Sequence, residues 1–249
     1  MLGFGLSRED WQVLRSGGEM DNDPRGEAKK RAAEAALDFV RDGQVLGLGT
    51  GSTAKYAIEA ISRMVRGGLK LTGVPTSSAT ALLARSLGIP LVDMNEIKTI
   101  DLTIDGADEV DPGFNMIKGG GGALTREKLV AIASHRRVIL VDESKLVGVL
   151  GQTRPLPVEV LPFSWAMTSR RLQQLGCIPR LRLVTEISFL TDNGNYILDC
   201  TFPGIVEPAK LEKDIKLVPG VVESGLFIHL ADTIVIGYDD RTEVRERPA

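Results

Sequence analysis

The chain contains too few cysteine and histidine residues to suggest a disulfide framework or a metal centre. It has two of each among 249 residues. Cys177 and Cys200 lie far apart without a C-x-x-C partner, so we expect two half-buried free thiols in a reducing compartment. His135 and His229 are isolated, and we expect the first at the surface and the second in the core. Because no cluster of His, Cys and Asp has the spacing of metal ligands, the sequence predicts no metal site.

The chain also lacks a strong charge of one sign and a long apolar run. Its formal net charge is -3 and no stretch is rich in Lys and Arg, which argues against nucleic acid or an anionic membrane as a partner. No apolar run approaches the ~20 residues that span a bilayer. Residues 1–22 carry Arg8, Glu9 and Asp10 where a signal peptide would be apolar. We therefore expect a loosely attached N-terminal extension and a cytoplasmic protein.

Short apolar strands alternate with helical patterns from residue 23 to about residue 151. Strands are expected at 44–48, 69–74, 89–92, 100–104 and 137–141, and helices at 23–43, 54–65, 77–87 and 124–134. On the last of these helices, Leu129, Val130 and Ile132 are expected to be buried. This order predicts an α/β fold with a mostly parallel sheet that is covered by helices on both faces.

The pattern changes after residue 151, where Pro155, Pro157 and Pro162 interrupt it. A helix at 164–175 is followed by strands at 180–190 and 196–199, which flank a hairpin turn at Asn193-Gly194. A further helix is expected at 208–217, so residues 152–222 are predicted to form a small α+β domain. Strands at 226–230 and 233–238 would return to the main sheet, and the main domain would therefore contain residues 23–151 and 223–249.

The turn Gly49-Thr50-Gly51-Ser52-Thr53 lies between a predicted strand and a predicted helix. Such a turn directs free backbone N–H groups and a helix dipole at an anion, and its hydroxyls suit phosphate oxygens. The alternative is a tight turn in which Ser and Thr only cap the helix. The turn lacks the lysine of a Walker A loop, and the next strand ends in Pro75-Thr76-Ser77 without the acid of a dinucleotide site. A small phosphate ester fits better than a nucleotide.

The stretch 105–128 concentrates charged residues around four consecutive glycines. Asp105 and Asp108 follow a predicted strand, and Lys118 directly precedes Gly119–Gly122. Glycine allows the chain to approach a small ligand closely, and crowded charges are costly unless they have a use. Gly106-Ala107 allows both aspartates to reach one cavity, although an N-cap and a surface charge are the alternative. We interpret the stretch as the floor of a site for a small anionic substrate.

Glu127, at the start of the next predicted helix, is the candidate base because the helix dipole favours its ionised form. The alternative is a solvated glutamate of a first helical turn. Glu109 and Asp111 are expected to face solvent. Since the sequence predicts no metal, acid–base chemistry would depend on carboxylates and lysine.

Several motifs in one order resemble A-type ribose-5-phosphate isomerases, from about residue 27 to the C-terminus. They are GLGTGST at 47–53, IDGADEVD at 104–111, IKGGGGALTREK at 117–128, PVEV at 157–160, TDNGNYILD at 191–199 and PGVVESGLF at 219–227. The resemblance implies a Rossmann-like α/β domain with a smaller α+β domain, assembled as a homodimer or homotetramer. Residues 1–22 lie outside the match.

The resemblance implies interconversion of D-ribose 5-phosphate and D-ribulose 5-phosphate through an enediolate, in the pentose phosphate pathway and without a cofactor. Glu127 would be the base and Lys118 would neutralise the oxyanion. Asp105 and Asp108 would hold sugar hydroxyls and assist ring opening. Lys29, which by itself would be a solvated helix residue, and Lys145 would bind substrate. The implied substrate-binding set is Lys29, Thr50, Gly51, Ser52, Thr53, Asp105, Gly106, Ala107, Asp108, Lys118, Gly119, Gly120, Gly121 and Lys145.

Two rival functions use a similar fold, so the fold alone does not decide between them. A sugar-phosphate sensor would need no base and would carry a DNA-binding segment, for which residues 1–22 are too short and too acidic. A coenzyme A transferase would use a glutamate as a covalent nucleophile. The presence of both Glu127 and Lys118 argues against the sensor, and a coenzyme A transferase should label with acyl-CoA.

Overall fold

Strands and helices alternate in the first part of the chain, as the periodicity predicts. The structure, a computed structural model, describes residues 23–248, so the predicted extension at 1–22 lies outside the described residues. The elements up to residue 142 are α1 (Gly26–Ala36), β1 (Val45–Leu48), α2 (Ser52–Arg66), β2 (Thr72–Pro75), α3 (Ser78–Ser86), β3 (Ile100–Gly106), β4 (Glu109–Val110), β5 (Met116–Ile117), α4 (Leu124–Ile132) and β6 (Ser134–Asp142). The strand expected at 89–92 is reduced to a single bridge between Gly73 and Leu91.

The second part of the chain contains more strands than the sequence pattern indicated. Its elements are β7 (Leu156–Val160), α5 (Trp165–Gln173), β8 (Ile178–Leu181), β9 (Leu183–Val184), β10 (Ile187–Ser188), β11 (Tyr196–Thr201), α6 (Pro208–Lys216), β12 (Val221–Ser224), β13 (Leu226–Phe227), β14 (Thr233–Gly237) and β15 (Thr242–Glu246). The single strand expected at 180–190 is wrong, because β8, β9 and β10 occupy that stretch. No helix in the described part of the chain is long and apolar enough to cross a membrane.

A six-stranded sheet in the order β15-β14-β6-β3-β1-β2 forms the centre of the fold. Every neighbouring pair is parallel except β14 with β15, which confirms the predicted mostly parallel sheet. Alternate residues of β6 pack on opposite faces: Val138 and Leu140 join the core cluster formed with α1 and α2, whereas Ile139 and Val141 join the cluster that includes Leu124 of α4. Burial on both faces explains the continuous apolar run of this strand.

Three small sheets accompany the central one. An antiparallel sheet in the order β12-β7-β11-β8 packs with α5 and α6 around its own apolar core, in which Cys177 and Cys200 are buried as free thiols rather than half-buried. β9 pairs with β10, and β13 and β4 flank β5. The expected return of 226–230 to the main sheet is therefore wrong, because Leu226–Phe227 pairs with Met116–Ile117. The boundary expected at 222 lies inside β12, and the division into domains stays a prediction.

Helix α4 buries a different face from the one expected. Its buried positions include Leu124, Glu127, Lys128 and Ala131, which have the i, i+3, i+4, i+7 spacing of one helix face. The expected burial of Leu129 and Ile132 is wrong, since both side chains are mostly exposed. The apolar pattern predicted the wrong buried face because two charged residues, Glu127 and Lys128, lie on the face that is buried.

The two histidines were expected to differ in burial, but both are exposed. His135 is exposed at the start of β6, as expected. His229 is exposed too, in a left-handed backbone conformation with φ 56° just after β13, so its expected core position is wrong. The chain turns there between two sheets, and the turn places the imidazole outside.

Glu109, which we expected at the surface, is completely buried. Its carboxylate accepts hydrogen bonds from the backbone N–H groups of Gly151 (2.5 Å), Thr153 (2.6 Å) and Arg154 (2.8 Å), and from the Thr153 hydroxyl (2.7 Å). No Lys or Arg side chain lies within ion-pair distance of it in residues 23–248. Four donors thus replace water around the charge and fix the loop after β6. Asp111 is half-buried and accepts hydrogen bonds from Asn115.

Glu109→Gln is therefore expected to lower the free energy of unfolding by about 2–3 kcal/mol. The amide would direct a donor at a backbone N–H and would lose the charge that strengthens the remaining bonds. Urea denaturation measures the change, with Glu96→Gln as the control because Glu96 is an exposed glutamate. Equal midpoints for the two variants would contradict the structural role of Glu109.

Candidate active site

A polar cavity of about 100 Å³ lies beyond the carboxyl ends of β1 and β3. Parallel strands place ligands at this edge of a sheet. The cavity is lined by residues from the turn after β1, the turn after β3, the glycine loop, α1, α4 and the 3₁₀ turn after β6. These residues are Lys29, Thr50, Gly51, Ser52, Thr53, Gly106, Ala107, Asp108, Lys118, Gly119, Gly120, Gly121, Glu127 and Lys145. The structure thus brings together all the residues that the sequence singled out for the site except Asp105, which lies behind the lining.

The turn after β1 holds the anion-binding geometry that the sequence suggested. Gly51 has φ 104°, a conformation that favours glycine, and it lets α2 begin at Ser52 with its first N–H groups at the cavity. Thr50 already has hydrogen-bond partners within the protein. Its N–H donates to Asp105 Oδ1 (3.1 Å), and its hydroxyl lies 2.7 Å from that of Thr76. Ser52 and Thr53 line the cavity, so they are the hydroxyls that can reach an anion.

A buried group of hydroxyls from α3 and the residues just before it supports this turn, and no sequence motif indicated it. Thr50 Oγ1 lies 2.9 Å from Ser77 Oγ and 3.2 Å from Thr80 Oγ1. Thr80 also donates to the carbonyl of Gly49 (2.9 Å), and Thr76 to that of Leu48 (3.0 Å). Each of these hydroxyls has a hydrogen-bond partner, so the network links the turn to α3 without leaving a buried hydroxyl unpaired.

Two lysines add positive charge at the same end of the cavity. The Nζ atom of Lys29 on α1 lies 3.0 Å from Ser52 Oγ and 2.8 Å from Asp23 Oδ2. Lys145 ends the 3₁₀ turn Glu143–Lys145, which follows β6. Both ammonium groups, together with the N-terminus of α2, favour a negatively charged group here.

Lys118 lies at the other end of the cavity and is almost completely buried, with 4% of its side chain exposed. Its ammonium group donates to the Gly106 carbonyl (2.5 Å) and lies 3.0 Å from Asp105 Oδ2 and 3.3 Å from Glu127 Oε2. Oε2 of Glu127 is buried, and its contact with the Lys118 ammonium group is an ion pair that lacks the geometry of a hydrogen bond. This carboxylate oxygen can therefore still accept a proton from a ligand.

The burial of these charges shifts their pKa values. Burial raises the pKa of Glu127 to about 8, although Lys118 opposes the shift, and Asp105 adds to it. Burial alone would lower the pKa of Lys118, but the carboxylates of Asp105 and Glu127 outweigh it and raise that pKa above its usual value. The lysine thus stays protonated while Glu127 exchanges a proton close to neutral pH, which suits a general base.

The two aspartates after β3 occupy different positions. Asp105 is buried and accepts hydrogen bonds from the backbone N–H groups of Thr50 and Gly106 (3.1 and 2.7 Å) while it pairs with Lys118. It therefore connects the anion-binding turn to the buried lysine. Asp108 lines the cavity and accepts a hydrogen bond from the Gly120 N–H (2.7 Å). Only Asp108 is placed to touch a ligand directly.

The glycine loop is held close to this centre. Gly119 has φ 102°, and a Cβ on Gly120 would lie 2.6 Å from Asp108 Oδ1, so a side chain there would displace the Asp108 carboxylate. Arg182, which pairs with Asp199, donates to the carbonyls of Gly119 (2.9 Å) and Gly120 (3.0 Å). This arginine comes from beyond β8, and its role could not be read from an isolated Arg in the sequence.

Helix α4, which carries Glu127, is fixed to the hairpin turn before β11. The buried carboxylate of Glu159 accepts hydrogen bonds from the Thr125 hydroxyl (2.5 Å) on α4 and from Thr191 and Asn195 (2.9 and 2.8 Å) in the turn.

In the described part of the chain, no group of three or more His, Cys, Asp and Glu side chains could hold a metal ion. The site therefore combines a positively charged pocket for an anion with a buried lysine–carboxylate pair, at one edge of a parallel sheet. These features define an enzyme of the α/β class with a site for proton transfer on a small anion.

Comparison with known proteins identifies the family. Residues 72–241 match the model of ribose 5-phosphate isomerase A, also called phosphoriboisomerase A. The chain is 49% identical to ribose-5-phosphate isomerase A 1 of Oceanobacillus iheyensis over 87% of this chain and 97% of that protein. It is 51% identical to ribose-5-phosphate isomerase A of Gloeobacter violaceus over 87% and 94% of the respective chains. The chain belongs to the ribose-5-phosphate isomerase A family, whose members are aldose–ketose isomerases.

Solved structures agree with this assignment and with the predicted fold class. Ribose 5-phosphate isomerase A from Methanocaldococcus jannaschii superposes with a TM-score of 0.85 at 39% identity, covering 89% of this chain and 99% of that one. A D-ribose-5-phosphate isomerase in complex with phospho-erythronic acid superposes with a TM-score of 0.86 at 41% identity, covering 89% and 98%. The Rossmann-like α/β fold with additional small sheets is therefore confirmed.

Proposed function

We propose that this chain interconverts D-ribose 5-phosphate and D-ribulose 5-phosphate through an enediolate, with Glu127 as the base. The observation that carries the proposal is the buried pair of Glu127 and Lys118, 3.3 Å apart, in the same cavity as the turn at 50–53. One end of the cavity thus suits a phosphate group and the other suits proton transfer. The complex of a related isomerase with phospho-erythronic acid supports a small phosphorylated compound as the ligand.

The reaction begins on the open-chain aldose. The Glu127 carboxylate takes the proton from C2, the electron pair of that bond forms the C1–C2 double bond, and O1 becomes an oxyanion. The proton of the 2-hydroxyl then moves to O1 as the C2 carbonyl forms, and Glu127 returns its proton to C1. One carboxylate suffices for both transfers because C1 and C2 are adjacent, and no proton is consumed.

Lys118 supplies the electrostatic part of this mechanism. Its ammonium group is fixed by Gly106 and Asp105 before substrate binds, so little reorganisation is needed when negative charge develops on the oxygen. Fixed charges in a buried site are the most effective form of such stabilisation. Asp105 positions the lysine, and Asp108 holds sugar hydroxyls and assists ring opening.

The phosphate group is proposed to lie at the turn after β1. The backbone of Gly51, Ser52 and Thr53 offers N–H groups at the start of α2, and Lys29 and Lys145 add two ammonium groups. This arrangement meets a dianion with both hydrogen bonds and charge. The glycine loop at 119–121 and Gly106-Ala107 close the cavity around the sugar.

An exchange experiment tests the proposed mechanism. Ribose 5-phosphate converted in D₂O by chelator-treated protein is expected to give ribulose 5-phosphate that carries deuterium at C1, because the proton on Glu127 exchanges with solvent during some turnovers. Nuclear magnetic resonance of the product measures the label. A product without deuterium, at every protein concentration, would favour a direct hydride shift over the enediolate. Loss of turnover after chelation would contradict a mechanism that needs only carboxylates and lysine.

We also propose that the enzyme acts in the pentose phosphate pathway of the cytoplasm as a homodimer or homotetramer. Exposed apolar side chains support assembly: Phe163, Ile178, Ile187 and Leu217 are all more than half exposed. Large apolar side chains at the surface are available for contacts with a partner subunit. The two free thiols support a reducing compartment. A monomer mass from light scattering would contradict the assembly.

A further inference from the structure

Asp23 places a carboxylate against the phosphate end of the cavity. Its Oδ2 atom lies 2.8 Å from Nζ of Lys29, and the same Nζ lies 3.0 Å from Ser52 Oγ at the start of α2. Both side chains of the ion pair are largely buried, with 13% of Lys29 and 18% of Asp23 exposed. The pair is therefore a defined contact at the edge of the site.

The charge of Asp23 is held in place from several sides. The hydrogen bond from Lys29 lowers the pKa of Asp23, and so does the charge of Lys145, the second lysine of the cavity. Oδ1 of Asp23 accepts a hydrogen bond from the Arg25 N–H (3.0 Å) just before α1. Asp23 is thus ionised at neutral pH and lies beside the two lysines proposed to hold phosphate.

We propose that Asp23 sets the affinity of this enzyme for the phosphate group by competing with it for Lys29. The inference rests on the proposed phosphate position. With the site empty, the carboxylate neutralises Lys29 and fills one of its hydrogen-bonding positions. When the phosphate dianion binds, it takes over this ammonium group and meets the like charge of Asp23. The carboxylate weakens binding of substrate and product and so favours product release.

The geometry explains why an acid at this position has a specific effect. Glu27, in the first turn of α1, carries the same charge but is exposed and makes no ion pair with Lys29 in residues 23–248. A general change of surface charge would act equally at both positions, whereas competition for Lys29 acts only at Asp23. The two acids therefore form a matched pair for a test.

Titration calorimetry with inorganic phosphate, on the full chain, tests the inference. Asp23→Asn keeps an oxygen that can cap the N–H of Arg25 but removes the charge. We expect its phosphate dissociation constant to fall by about fivefold, the size of one relieved charge contact near the surface. The KM for ribose 5-phosphate should fall in the same proportion. Glu27→Gln should change both values by less than about twofold.

Different outcomes separate this inference from the proposed function. If Asp23→Asn binds phosphate equally well or more weakly than the parent, Asp23 does not compete and the inference is wrong, while the phosphate site stands. Asp23→Ser, which keeps an oxygen that can accept from the Arg25 N–H, must then give the same result, which excludes a misfolded variant. If inorganic phosphate binds neither the parent nor the variants and does not inhibit turnover, the phosphate position itself is wrong.

Discussion

Glu127→Gln is expected to lower kcat by about 10²–10⁴-fold, because the amide cannot accept the C2 proton. Glutamine has the size of glutamate, so the contacts of α4 should persist. Binding of sugar phosphate should therefore remain within a few fold of the parent value. Steady-state kinetics gives kcat, and titration calorimetry gives the binding constant. Deuterium incorporation into the substrate should be lost together with turnover.

The pH dependence of the parent enzyme adds a second measurement of the same group. Burial raises the pKa of Glu127 to about 8 in the ligand-free site. A base works in its ionised form, so kcat/KM should rise as the pH increases towards about 8 and then level off. Glu96→Gln, at an exposed position, should retain the parent pH profile.

A Glu127→Gln variant that keeps kcat within threefold of the parent would remove Glu127 from the role of base.

Lys118→Met is expected to lower kcat by about 10²–10³-fold, the cost of losing one fixed donor to a developing oxyanion. The variant should also shift the pH dependence of the remaining activity. Lys118 lowers the pKa of Glu127, so its removal should raise that pKa further above 8 and move the profile to higher pH. Less of the base is then ionised at neutral pH, and activity falls for a second reason.

Lys128→Met is the matched control for this variant. Lys128 is also a buried lysine, and its Nζ lies 5.1 Å from the centre of the Phe227 ring, compared with 5.3 Å for Nζ of Lys118. Unlike Lys118, it forms ion pairs with Glu212 and Glu223 outside the cavity. Its loss should reduce stability, as measured by thermal unfolding, without shifting the pH profile. If both variants leave the profile unchanged, or shift it equally, Lys118 does not act through Glu127.

Much of the fold followed from local patterns. The strands of the central sheet other than β15 were placed within a few residues, because apolar runs bounded by glycine and proline suffice to mark buried strands. β15 (Thr242–Glu246) was missed because its polar, edge-strand sequence carries no apolar signal. The small sheets were missed or merged for a related reason: their strands are short, and their pairing joins segments far apart in the chain, such as β5 with β13.

The sequence by itself determined the local parts of the site. A strand, a glycine turn and a helix start form an anion-binding turn at 49–53, and consecutive glycines allow a close loop at 119–122 whatever surrounds them. Two of the six motifs that resemble the isomerase family include these segments, and the order of all six along the chain was enough to predict the family. Each of these features depends on residues within about one turn of each other.

Only the tertiary structure decided which charges are buried and what they touch. It separated Asp105, which holds Lys118 from behind, from Asp108, which lines the cavity, although the two aspartates are three residues apart. It buried Glu109 against the backbone at 151–154 and supported the glycine loop with Arg182. The physical reason is that the environment of a charge is set by distant segments that pack against it, and a single sequence does not record those contacts. The chemical centre at 105–127 was therefore visible in the sequence, but its electrostatics were not.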